Sequence, residues 1–559
     1  MKVSELSALL YARLRTGASA VAHDSEHWFT REQLLRDMKY VHDVLRTFGI
    51  AAGDRVVLAQ INSYAFVALY SSLLTYGAVV VPVNPNMPTP ELAGVINRSE
   101  AVMAFVGPEL VDALGAAESL HRLRTVVAAF VNADKRLELS VFAVRTDGLI
   151  PDRLPWRFAP PTTGKKNTPA AIFRDSAAAY TAAAMPPSDS PALENVADAI
   201  AGVAESDPAV LLFTSGTTGT PKGVLLTHGQ VLATVRNVTN AHRLTATDVS
   251  YCFLPMFHIN AQVVALLSTL TTGGRLVIGQ KFSASRFWPT VIEHGVTWVS
   301  AVPTVIAILV KGPEPSAVAA SLRFVRSASA PLPALQGRRF EAKFGVPVIE
   351  SYGLTEAASQ VCVNPLPPGK HKFGSAGVPY GVELRVVDDA GSVLPYGDVG
   401  EIVIRGESVI AAYAYGDETG AGFREGWFHT GDLGYLDEDG YLFITGRSKE
   451  MINRAGQKIS PREVEEVIGR HAGVKACAVI GLPDELYGER VVAYVVPEES
   501  ARRQDASFKE QLRTLCVATV SAYKCPAEFH LVEEIPLGPT GKIQRHRLKQ
   551  EIMAIGCAN

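Results

Sequence analysis

Apolar positions along the chain fall into short blocks separated by helix-length segments. Over 53–85 a strand-like block at 55–59 precedes a helical stretch at 64–76. The run AVVVPV at 78–83 follows, too short for a helix and rich in β-branched residues. This order predicts a β-α-β unit with a buried strand. The alternation returns at 275–278, 285–294 and 298–302, and again at 323–327, 332–344 and 346–350. Such alternation predicts an α/β fold, with helices packed on mostly parallel sheets. No period of about 20–50 residues recurs, which argues against a solenoid or propeller.

Two regions depart from that pattern. Residues 160–208 are rich in Ala, Pro, Ser and Thr with few large apolar side chains, and read as a surface insertion. Beyond about Lys449 the order is a hairpin, a helix at 461–470, strands at 476–480 and 491–496, a helix at 508–520 and a strand at 529–533. That is a small α+β unit of β-α-β-β-α-β type. The expected division is a large N-terminal domain over 1–447 and a small C-terminal domain over 448–559.

Composition narrows the class. A chain of 559 residues has room for two to four domains at roughly 100–200 residues each. With 53 Lys and Arg against 56 Asp and Glu the net charge is -3, so no bulk positive field exists to hold a nucleic-acid backbone. The cysteines, Cys252, Cys362, Cys477, Cys516, Cys525 and Cys557, are scattered without a C-x-x-C, which suggests neither a disulfide framework nor a zinc site and favours a reducing cytoplasm. No apolar stretch reaches the ~18–20 residues of a membrane span. Glu5, Arg13 and Arg15 interrupt the N-terminal apolar run and argue against a secretory signal.

The most informative segment is FTSGTTGTPKGV at 213–224, preceded by a buried-type strand. Gly216 and Gly219 let backbone approach an anion, and Thr214, Ser215, Thr217, Thr218 and Thr220 add hydroxyl donors. Lys222 supplies countercharge, so polyphosphate is the natural ligand. The spacing is not that of an ordinary P-loop, because Pro221 occupies the glycine position before the lysine.

This string resembles the phosphate-loop motif of the adenylate-forming enzymes, which include acyl-CoA synthetases, luciferases and the adenylation domains of peptide synthetases. The resemblance continues in order through SYGLTEA at 351–357, WFHTGD at 427–432, YLFITGRSK at 441–449 and PTGKIQR at 539–545. It implies attack by a carboxylate on the α-phosphorus of ATP, release of pyrophosphate, and transfer of the acyl group from its adenylate to CoA. Both first reactants are anions, so positive charge and positioning must come from the protein and a metal. Glu356 is implied as the ligand of Mg²⁺, and Thr355 as a phosphate contact beside Gly353. Tyr352 is implied as an adenine face, with Asp432 and Arg447 on the ribose hydroxyls.

Lys542 lies in LGPTGKIQR, a Pro- and Gly-punctuated loop, and matches the lysine that stabilises charge during adenylation. Lys449 matches the family's hinge between domains. Rotation about it would bring RAGQK at 454–458, with Gly456 and Lys458, to a CoA channel and make the small domain mobile.

PMFHIN at 255–260 matches the acyl-pocket segment, with His258 as a gate and Asn260 nearby. It holds no aspartate of the kind amino-acid-activating relatives use, and no carrier-protein motif follows Leu548, which disfavours a peptide-synthetase module. SASAPL at 327–332 places Ala328, Ser329 and Ala330 where relatives often have glycines, and suggests a narrower or more polar acyl site. RSASAP at 326–331, with Arg326, together with NPLPPGKHKFG at 364–374 is most similar to the oxalyl-CoA synthetase branch, although that branch has a further histidine near Asn260. The acid is therefore a small diacid such as oxalate or a short to medium monoacid. Two alternatives stand beside the acid:CoA ligase reading: a ligase that loads a carrier protein, and an inactive nucleotide-binding protein.

Overall fold

The computed structural model describes residues 4–151 and 202–556, apart from 17–18, 25–26, 116–119, 121, 146–147, 215–221, 316, 319, 416–421, 500–504 and 539–542. Most of the Ala- and Pro-rich insertion lies outside the described residues. Its tail does not behave as an insertion: Val203 and Ala204 are buried, and the Val203 carbonyl accepts from the Ser4 amide.

Two α/β sheets form the body of the large domain. In the first, Arg55–Ala59 pairs in parallel with Val79–Pro82 and Met103–Val106, and Pro208–Thr214 joins Val79–Pro82 in parallel. In the second, Val249–Cys252, Arg275–Ile278, Trp298–Ala301, Phe324–Ser327 and Val348–Tyr352 are all parallel. Antiparallel strands appear only toward the edges of both, as Lys222–Thr227 does in the eight-stranded sheet and Cys362–Val363 in the nine-stranded one.

Between the sheets runs the helix Tyr64–Tyr76, whose residues are buried from Tyr64 to Thr75. Ser63 Oγ accepts from the Phe66 amide at its start, and Gly77 ends it at φ 87, a left-handed cap that glycine adopts without strain. A helix apolar on every side belongs in an interior. One core includes Tyr70, Leu73 and Leu74 of this helix, Val56 and Val80 of one sheet, and Cys252 and Leu276 of the other.

The expectation of mostly parallel sheets fails for a third, five-stranded sheet running from Glu383–Val387 through Gly400–Arg405 and Trp427–Leu436 to Leu442–Arg447, which is antiparallel throughout. Its strands are partly exposed and joined by Gly- and Asp-rich turns, so they carry no buried β-branched run to announce them.

The C-terminal unit begins with the hairpin Ile452–Arg454 and Gln457–Ile459. Ala455 and Gly456 both have positive φ, the two-residue turn that matches strand twist. Pro461–Ile468 and Asp505–Thr519 pack on a sheet in which Val474–Asp484, Gly488–Pro497 and Glu528–Leu531 pair in that order.

Candidate active site

The parallel strands of an open α/β sheet deliver ligands at their carboxyl ends. Here those ends carry Ser327 to Ser329, Val302 and Tyr352, and a cavity of about 300 Å³ opens beside them. Its wall is apolar at Leu254, Phe282, Val302, Val305 and Ile308, and polar at His258, Asn260, Thr304 and Ser329. Ala328 is buried and Ala330 half-buried, and neither lines the cavity, so of that trio Ser329 alone faces it. The wall thus combines four polar side chains with apolar ones, beside the sequence expectation of a narrower or more polar site.

Asn260 opens a π-helix, Asn260–Leu267, of the wide-turn kind often found at functional sites. The segment before it is pinned from the other sheet. Asn62 Nδ2 donates to the carbonyls of Leu254 and Gly279 at 2.9 and 3.0 Å, and its Oδ1 accepts from the Met256 amide at 2.7 Å. Gln262 Nε2 donates to the Met256 carbonyl at 2.9 Å. Nothing in the local sequence marks Asn62 as a support for this wall, since its partners lie 192 residues or more away.

A second cluster lies on Val348–Tyr352 and the third sheet. The Tyr352 hydroxyl donates to Asp432 Oδ2 at 2.6 Å, and Arg447 Nε donates to Asp432 Oδ1 at 2.7 Å. Asp432 and Arg447 face each other in register across adjacent strands. Burial and the neighbouring carboxylate push the Tyr352 phenol well above its ordinary pKa, and Asp432 raises that of Arg447. Gly353 is required by close approach: a Cβ there would sit 1.3 Å from the Ser359 carbonyl oxygen.

Thr355 and Glu356 occupy the short 3-10 turn that follows, both half-buried. Glu356 Oε1 accepts from the Tyr413 hydroxyl at 2.7 Å, and Lys222 Nζ lies 4.3 Å from the centre of the Tyr413 ring. Tyr413 was not singled out by any motif; it joins the YGLTE acid to the lysine of the phosphate loop. Thr214 and Lys222 pair in register at the foot of the hairpin whose tip is that loop. Ser215, Gly216, Thr217, Thr218, Gly219 and Thr220 lie outside the described residues, as does Lys542.

Leu537 and Gly538 of the C-terminal unit line the cavity, and Lys542 follows Gly538 by four positions, within about 14 Å of extended chain. Gly456 and Lys458 lie elsewhere, on the exposed hairpin tip, and do not line the cavity. Lys449 is exposed in the turn Ser448–Glu450, between the third sheet and the C-terminal one. Among the described residues no group of three or more His, Cys, Asp or Glu side chains could hold a metal by itself, and no helix is long and apolar enough to cross a membrane.

The chain agrees with known proteins over most of its length. Residues 11–414 match the AMP-binding enzyme family and residues 463–542 its C-terminal domain. It is 47% identical over 360 residues to a sulfoacetate–CoA ligase of Cupriavidus necator, covering 64% of this chain and 70% of that one. It is 33% identical to an oxalate–CoA ligase of Arabidopsis thaliana over 90% of both. Among solved structures, ATP-bound MatB from Rhodopseudomonas palustris superposes with a TM-score of 0.81 at 27% identity, covering 99% of this chain and all of that one. The five ordered motifs, the two α/β sheets with a separate C-terminal unit, and these likenesses agree: the chain belongs to the AMP-binding, adenylate-forming enzyme family, among its AMP-forming acyl-CoA synthetases.

Proposed function

We propose that this enzyme joins a short carboxylic acid to CoA in two steps at one site. In the first, a carboxylate oxygen attacks the α-phosphorus of ATP and pyrophosphate leaves with its electron pair. In the second, the CoA thiolate displaces AMP from the acyl carbon. The observation that carries the reading is the line of contacts from Lys222 through Tyr413 to Glu356, on the element that also presents Tyr352 to Asp432 and Arg447. These contacts support a phosphate-binding end at Lys222 and Glu356 and a ribose-binding end at Asp432.

Each residue has a separate task. Asp432 accepts from the ribose hydroxyls, held in place by Arg447. Lys222 and the loop 215–221 take the phosphates, and Thr355 adds a hydroxyl. Glu356 offers a half-buried carboxylate with one oxygen anchored by Tyr413, a hard oxygen donor that fits Mg²⁺ shared with phosphate oxygens. When bound, that ion supplies charge neutralisation to the polyphosphate. Lys542, four positions beyond the cavity-lining Gly538, stabilises charge as the carboxylate meets the α-phosphate. His258 and Asn260 bound the acyl pocket.

The exposed position of Gly456 and Lys458 fits the adenylation half of a cycle in which the small domain, beginning after Arg447, turns about Lys449 to present them to CoA. The oxalate– and sulfoacetate–CoA ligase relatives support a small acid as substrate. The free thiols of Cys252, Cys362, Cys477, Cys516 and Cys525 suit a reducing, cytoplasmic setting.

The test is pyrophosphate release from ATP and Mg²⁺ with oxalate, malonate, sulfoacetate, acetate, octanoate and benzoate, each with CoA, with a phosphopantetheinylated carrier, or with neither. Acid-dependent release that CoA accelerates supports the reading. Acceleration by the carrier alone would assign a different acceptor, and absence of release with every acid would remove the ligase assignment.

A further inference from the structure

We propose that Arg326, acting through Asn260 and Ser329, selects a short acid that carries a second anionic group, a carboxylate or a sulfonate, beside the carboxylate that reacts. The inference rests on the acid:CoA ligase reading and names the class of acid.

Arg326 is 1% exposed and lies in the strand Phe324–Ser327. Its Nη1 donates to Asn260 Oδ1 and to Ser300 Oγ, both at 3.3 Å, and its Nη2 to Ser351 Oγ at 2.8 Å. All three partners are neutral, and its Nε has no partner. The nearest acid by strand pairing, Glu350, is in register with Ser327, one residue along, and so faces the opposite side of the sheet. A buried charge is tolerated when paired or when function uses it. Here no carboxylate of the described residues neutralises it, and its positive field remains for something outside the chain.

That field reaches the cavity through one amide. Asn260 Oδ1 is occupied by Arg326 and by Ser300 Oγ at 3.2 Å, which fixes the amide so that Nδ2 points to Ser329 Oγ at 3.3 Å. Asn260 and Ser329 both line the cavity. Ser329 sits at φ 72, a left-handed conformation that suits glycine and strains a serine. Strain of this kind persists where surrounding structure enforces it and clusters at ligand clamps. With its oxygen accepting from Asn260, the Ser329 hydroxyl has its proton left to donate.

At Asn260 and Ser329 the cavity therefore presents N–H and O–H donors backed by a buried cation, in a wall that also holds His258, Thr304 and apolar side chains. The reacting carboxylate loses its charge when it becomes the adenylate ester. A group that remains anionic throughout the reaction is what a permanently positive wall suits.

The experiment compares each doubly charged acid with a neutral isostere: oxalate with oxamate, and sulfoacetate with methylsulfonylacetate, with butyrate as an apolar control. Pyrophosphate release is followed in the wild type, Asn260→Asp and Ser329→Gly. In the wild type the charged member of at least one pair is expected to exceed its isostere by about 100-fold or more in kcat/KM, the discrimination typical of a site built for one polar group. The pair that shows it separates a carboxylate from a sulfonate as the second anion. Asn260→Asp sets a carboxylate against Arg326 and is expected to raise KM for the doubly charged acid about 100-fold while KM for ATP is unchanged. Ser329→Gly relieves the strained backbone, so its melting temperature is kept or raised while KM for that acid rises about 10-fold; a purely structural role gives no such split. Equal use of charged and neutral members, or a loss in Asn260→Asp that is the same for every acid, overturns the proposal and leaves the ligase reading intact. Failure of every acid to release pyrophosphate overturns both.

Discussion

The two ends of the site treat charge in opposite ways. At the proposed nucleotide end Asp432 is paired with Arg447 at 2.7 Å and bonded by Tyr352 at 2.6 Å, a closed set of partners. At the acyl end Arg326 is buried among hydroxyls and an amide, with no opposing carboxylate among the described residues. The first arrangement is complete without its acid substrate, and its chemistry is common to every acid the enzyme activates. The second is incomplete, and on our proposal it sets which acid is accepted. On this proposal shared chemistry and specificity reside in different elements: the first on Val348–Tyr352 and two strands of the third sheet, the second on two adjacent parallel strands, the segment that follows one of them and the first turn of a helix.

Four variants sharpen or break this contrast. Lys542→Ala is expected to have the largest effect, slowing adenylation by ~100–1000-fold, the loss typical of one charge donor in a water-poor site. Thioester formation from a supplied acyl-adenylate should fall far less, and equal losses in the two half-reactions, measured separately, would contradict the assigned step. Gly353→Ala forces a Cβ against the Ser359 carbonyl oxygen and is expected to destabilise the protein by about 1–3 kcal/mol, read from the urea midpoint. Asp432→Asn removes the charge opposite Arg447 and should raise KM for ATP about tenfold, or about 1.4 kcal/mol, with KM for the acid unchanged. A change in KM for the acid of the same size would mean that the two ends are not separate.

The fourth variant concerns the far face of the sheet. Burial pushes the Glu350 carboxyl up from its ordinary value of 4.5 to about 8, with Leu332 donating to it. The folded state thus binds a proton that the unfolded state releases. Stability should fall as pH rises from about 4.5 to about 8 and level off above that. In Glu350→Gln that part of the slope should vanish, which melting temperatures between pH 5 and pH 8 would show. A wild-type slope retained in the variant would assign it to other groups.

The residues proposed for the nucleotide end could be singled out from the sequence because they lie in contiguous motifs. Tyr352, Thr355 and Glu356 share a single stretch, and Asp432 and Arg447 belong to two strands joined by a short turn. The α/β alternation was legible for the same reason. The helix Tyr64–Tyr76 and the strands Arg55–Ala59 and Arg275–Ile278 are uniform apolar blocks of unmistakable length. The antiparallel third sheet was not, because half-exposed strands mix polar and apolar positions without a sustained run.

The acyl end was half legible. Ser329 and Asn260 were marked as pocket residues, but the supports that give them meaning are dispersed. Asn62 reaches across 192 residues or more, and Ser300 lies on another strand. Arg326 stood in the motif that carried the family resemblance, but its surroundings were not legible there. Only the pairing of Phe324–Ser327 with the strands on either side shows that its guanidinium is enclosed.

The most direct test of the account is a single turnover with enzyme in excess over ATP, in the presence of Mg²⁺ and the best acid but without CoA, quenched and analysed for a mixed anhydride of the acid and AMP. The account predicts that acyl-adenylate accumulates in step with pyrophosphate and is converted to acyl-CoA and AMP when CoA is added. Pyrophosphate without an acyl-adenylate, or an acyl-adenylate that CoA leaves untouched, would contradict it.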